Sequence, residues 1–150
     1  MENFKGEKGL NYAKLIVFFS LILVSFGASA TARAATLYFE PNSGSRGIGA
    51  TFPVSVMISS AANPMNAAEG RINFPPDKLE IVSLSKKDSI INLWVQEPKF
   101  SNIEGFTRFE GVVLNPGFSG VGKIITLNFK AKKSGVAAIT FDSGAVLAND

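Results

Sequence analysis

The chain has 150 residues, 15 Lys and Arg against 12 Asp and Glu, and neither Cys nor His. A single domain fits this length, and a composition 46% hydrophobic can fill a core. Without Cys or His there is no disulfide framework, no thiol nucleophile, no Ser-His triad and no Cys/His zinc site, which leaves only a hard cation held by oxygens as a conceivable metal. With 13 Phe and 14 Gly among frequent Val, Ile and Thr, the chain favours strands and turns over helices.

The first 34 residues read as a signal peptide. Lys5, Lys8 and Lys14 precede an apolar run from Leu15 to Phe26. At about 1.5 Å per residue that run is short for a hydrocarbon layer of about 30 Å. Ala32-Arg33-Ala34 then supplies a small-x-small cleavage pattern, which places the mature start at Ala35 and the protein outside the cell or on its surface. An uncleaved membrane anchor is the competing reading. Removing this segment leaves 11 basic residues against 10 acidic ones, so the nominal basicity belongs mostly to the leader. No nucleic-acid partner is expected from so balanced a remainder.

From Ala35 onward the hydrophobic period is two. Thr36 to Glu40 is a short strand, stopped by the turn-rich PNSGSRGIG. Thr51 to Ser59 points Phe52, Val54, Val56 and Ile58 inward, and Pro53 places that strand at an edge or a bulge. Asn66 to Phe74 sets Ala68, Gly70, Ile72 and Phe74 against Glu69, Arg71 and Asn73 on the opposite face. Pro75, Pro76 and Asp77 then make a corner that ends one strand and turns the chain to the other layer. Leu79 to Leu84, Ile90 to Gln96, Phe106 to Leu114, Lys123 to Ala131 and Val136 to Ser143 complete eight short strands. No segment has helical period. The expectation is an all-β, two-layer β-sandwich.

Three stretches, AAEGRINFPPDKLEIVSL, FTRFEGVVLNPGFSG and GKIITLNFKAKKSGVAAITFDSGAVLAND, occur in an order that resembles a bacterial cohesin domain. The likeness covers most of residues 35–150 and implies a nine-stranded jelly-roll sandwich. It also implies a non-catalytic module that binds dockerin modules in polysaccharide-degrading or cell-surface assemblies. The eight strands counted here stop one short of that pattern, so the domain is expected to lack its last strand, leaving the first with an open edge.

In cohesins the partner lies on the outer face of the sheet ordered 8-3-6-5. Carried over by strand alternation, that face shows Glu69, Arg71 and Asn73 from the third strand and Arg108, Glu110, Val112 and Leu114 from the sixth. The fifth strand adds Trp94 and Gln96 if Leu93 and Val95 point inward. Exposed aliphatics mixed with charges of both signs suit a protein interface. A blander reading makes Arg71 and Glu110 a cross-strand ion pair and Trp94 a core residue.

Two further functions can be weighed on the same residues. Glu69 and Glu110 on adjacent strands could form an acid–base pair for glycoside hydrolysis, yet each has an Arg neighbour that favours the ionised form, whereas the acid catalyst must hold its proton. No enzyme is expected. Direct binding of a polysaccharide would use Trp94 with Asn115, but a single Trp offers no aromatic strip for stacking. A structural spacer in a longer surface protein is the third possibility. Asp142 and Asp150 lie near turns without a calcium-loop pattern, so no metal or cofactor is expected.

Overall fold

A computed structural model describes residues 35–148. The leader reading falls outside the described residues. Within them the chain forms seven strands, β1 (Thr36–Glu40), β2 (Thr51–Asn73), β3 (Leu79–Ser85), β4 (Leu93–Ser101), β5 (Phe106–Val112), β6 (Phe118–Ala131) and β7 (Thr140–Ala148). All pairings are antiparallel.

The two strands expected over residues 51–59 and 66–74 are one strand of 23 residues. Its first half lies between β1 and β6, and its second half between β7 and β5. Adding the outer strands gives one layer ordered β1-β2-β6-β3 and a second ordered β7-β2-β5-β4, with β2 central in both. The second layer has the order implied by the resemblance.

Alternation decides which residues meet between the layers. Val54, Val56 and Ile58 from β2, Leu127 and Phe129 from β6 and Leu79 and Ile81 from β3 join Ala68, Ile72 and Phe109 from the other layer in one buried cluster. The Phe74 ring meets Phe129 edge-on at 5.3 Å between centroids, an arrangement aromatic quadrupoles favour. Where strict alternation would waste a side chain, a bulge intervenes. Val56 pairs with Ile125 and Met57 with Lys123, so Ile124 is an extra residue, and both isoleucines are fully buried. The ladder of β1 covers only Ser55 to Ser59, so Pro53 is paired with β6 alone and no strand lies on its other side, an edge position as expected.

The corner after β2 also behaves as its sequence implies. The Pro75 carbonyl takes hydrogen bonds from the amides of Lys78 and Leu79, at 3.1 and 2.9 Å, and the chain enters β3 in the opposite layer. Gly105, in the β4–β5 turn, sits beneath this corner and accepts a 2.8 Å bond from the Phe74 amide.

Candidate functional site

The outer face of the β7-β2-β5-β4 layer gathers most of the residues singled out above. In β2 the inward Ala68, Gly70 and Ile72 are buried while Glu69, Arg71 and Asn73 face out. In β5 Thr107, Phe109 and Gly111 are buried while Arg108, Glu110 and Val112 face out. The cross-strand register then determines which outward residues are neighbours.

It aligns like with like. Glu69 stands opposite Glu110, and Arg71 opposite Arg108. On the far side of β5, Gln96 faces Glu110, Lys99 faces Arg108 and Leu93 faces Val112. On the far side of β2, Ala145 faces Glu69, Ser143 faces Arg71 and Leu147 faces Ala67. The face is therefore ordered in rows that cross the strands. Leu93, Val112, Ala67 and Leu147 form an apolar row, with Leu93 and Leu147 more than half exposed. Next comes an acidic row of Glu110 and Glu69, then a basic row of Lys99, Arg108 and Arg71. Rows lie about 7 Å apart along the strands, and members of a row about 4.8 Å apart across them. Like charges directly opposite one another cost the isolated sheet stability.

The Arg71–Glu110 ion pair of the blander reading does not form among the described residues. Arg71 instead stacks its guanidinium 3.9 Å from the Phe106 ring centroid and places Nε 3.4 Å from the Asp142 carboxylate. Asp142 reaches it through a bulge, because Arg71 pairs with Ser143 and Ile72 with Phe141, leaving Asp142 as the extra residue of β7. Sequence reading gave Asp142 only a turn position. Lys99 and Arg108 have no ion-pair partner among the described residues, and the Arg108 Nε is buried with no hydrogen-bond acceptor.

Two members of the expected site lie elsewhere. Trp94 pairs with Gly111, an inward residue, and packs its half-buried ring against the core with the Lys86 ammonium 5.8 Å from its centroid. The physical reason is a bulge at Val95. Trp94 is opposite Gly111 and Gln96 opposite Glu110, so one extra residue separates two side chains that simple alternation puts on one face. Leu93, expected inside, takes the outer place. Leu114 lies beyond the end of β5, exposed, with its amide donating to the Asn92 side chain at 3.1 Å.

Glu69 and Glu110 occupy an open sheet face. A groove of about 690 Å³ lies instead where the loop after β1 meets the segment after β6, lined by Phe39, Arg46, Phe52, Val54, Leu79 and Val136 among others, and neither carboxylate lines it.

A model of the cohesin domain matches residues 39–150. No curated protein matches the chain. Among solved structures, a type I cohesin–dockerin complex of Clostridium thermocellum is similar at 12% identity and a TM-score of 0.63, covering 78% of this chain and 88% of that one. The sixth cohesin of scaffoldin B from Acetivibrio cellulolyticus, in complex with a Cel5 dockerin, is 16% identical with a TM-score of 0.62, covering 76% and 86%. A non-cellulosomal cohesin of the archaeon Archaeoglobus fulgidus is also 16% identical, with a TM-score of 0.59 over 76% and 78%. At these identities the structures speak for the fold, the three sequence stretches fall within the matched region, and the extent of the family match decides membership: the chain belongs to the cohesin domain family.

Proposed function

We propose that the chain is a non-catalytic protein-binding module that takes a dockerin-type partner on the outer face of β7-β2-β5-β4. The observation that carries this reading is the ordering of that face into apolar, acidic and basic rows. A fold has no use for opposed like charges, whereas a partner with complementary rows turns them into register and selectivity. Two solved relatives are complexes with dockerins, which supports the choice of partner class. Direct glycan binding loses support because Trp94, its only Trp, turns toward the core. Hydrolysis loses support because both carboxylates lie on an open face beside arginines. Export through cleavage before Ala35 would put the module outside the cell, where secreted assemblies form.

Each dockerin-type module encoded in the source genome can be expressed separately and titrated calorimetrically against the chain and its Val112→Asp variant. At least one should bind the chain, and the new carboxylate in the apolar row should abolish that binding without unfolding the sandwich. Failure of every module to bind, or binding indifferent to Val112→Asp, would overturn the reading. Retardation of the chain by a soluble polysaccharide in affinity electrophoresis would favour the glycan alternative.

A further inference from the structure

Resting on the protein-binding reading above, we propose that Arg108 is the seat for a partner carboxylate, presented on the acidic stripe of an α-helix lying across the strands. Three observations lead there. Arg108 stands in the middle of the basic row, with Lys99 opposite on β4 and Arg71 opposite on β2, so positive potential is greatest at its position. Arg71 is already engaged by Asp142 and Phe106, while neither Lys99 nor Arg108 has an ion-pair partner among the described residues. The Arg108 Nε is withdrawn from solvent without an acceptor. Part of the desolvation cost of an interfacial charge is therefore borne by the free chain, and a carboxylate that reaches the guanidinium gains a charge-assisted contact without that cost in full.

The shape of the partner follows from spacing. Lys99, Arg108 and Arg71 lie on three neighbouring strands and so span about 10 Å. Helical positions i, i+4 and i+7 lie on one face and advance about 10.5 Å along the axis. A helix perpendicular to the strands thus brings one carboxylate per turn over each cation. The acidic row of Glu110 and Glu69, about 7 Å away along the strands, meets the adjoining flank of the same helix, which must be basic. A helix of the opposite polarity would set like charges together in both rows and is selected against. The groups facing this seat are Lys99, Arg71 with its Asp142, and the carboxylates of Glu110 and Glu69; the row segregation, not the net charge of the face, selects the partner.

The probe is a pair of stapled helical peptides, identical except for Glu or Lys at i, i+4 and i+7, titrated into the nitrogen-15-labelled chain. The Arg108 Nε–H signal is assigned by its disappearance in Arg108→Lys. The Glu peptide should move that signal and leave the Arg46 signal in place, and the Lys peptide should move neither. Arg108→Gln should weaken the Glu peptide about tenfold or more, as expected for a lost hydrogen bond to a charged group, with the urea midpoint not lowered, because the substitution relieves the like-charge opposition with Lys99 and Arg71. Equal responses to the two peptides, or undiminished affinity in Arg108→Gln, overturns the carboxylate seat. A dockerin module blocked by Val112→Asp but indifferent to Arg108→Gln would remove the seat and keep the protein-binding reading. A Glu peptide that engages Arg108 when no dockerin module binds would keep the seat and remove the dockerin-type partner.

Discussion

Replacing Gly105 by Ala tests how the corner after β2 is braced. Gly105 has φ of 70°, where an L-residue costs about 1–2 kcal/mol. A Cβ there would also collide with the Phe74 carbonyl oxygen and lie 2.7 Å from Pro76 Cδ. Neither neighbour can swing aside, since one is backbone and the other a proline ring, and moving packed groups adds about 1–3 kcal/mol. The sum is about 2–5 kcal/mol, a large share of the roughly 5–15 kcal/mol that holds a domain together. Gly49 supplies the control. Its φ is 84° and a Cβ there meets nothing within 4 Å, so Gly49→Ala should lose only the conformational part. Urea unfolding of both variants, fitted with a common m-value, isolates the difference, which should be at least about 1 kcal/mol. Equal losses in the two variants would refute the idea that the corner rests on Gly105.

Phe129 is fully buried and touches the rings of both Phe52 and Phe74, so Phe129→Ala should cost about 3–5 kcal/mol in the same urea assay. Asp142→Asn should change stability by less than about 0.5 kcal/mol, because both partners of the ion pair are substantially exposed. By releasing Arg71 to the basic row it should tighten the Glu peptide, and a weakened peptide would contradict the row picture. Mass spectrometry of exported protein should show loss of residues 1–34, and an intact Met1 in a membrane pellet would refute the leader reading.

The period-two pattern made the sandwich legible because each strand buries one face, so Ala68, Gly70, Ile72 and Phe74 could be placed inside from spacing alone. The same rule put Glu69, Arg71, Asn73, Arg108, Glu110 and Val112 on one surface, where the structure also has them. It failed where a single extra residue breaks the period. The bulge at Val95 reversed the expected sides of Leu93 and Trp94, and the bulge at Asp142 brought forward a carboxylate that alternation gave no role. Neither carries a compositional mark, since β-bulges depend on what the neighbouring strand needs. The continuity of β2 was hidden for a different reason. Ser60 to Pro64 has no apolar alternation and ends in a proline, features that in isolation read as a break, yet the strand runs through it and β2 pairs with β6 on both sides, at Ser60 and again at Met65.

Sharing β2 has a mechanical consequence. Thr36, at the start of β1, is paired with Ser59, and Ala148, at the end of β7, with Met65, so both ends of the described fold attach near the midpoint of one strand. Tension applied between those ends enters β2 over a short span and leaves the far ends of β4 and β3 outside the loaded path. Neither layer can yield at β2 without the other losing its central strand, so rupture should be a single event and not a peeling of one layer from its neighbour. The face of β5 and β4 would keep its shape until that event, and a partner seated there would be held or released with the whole domain.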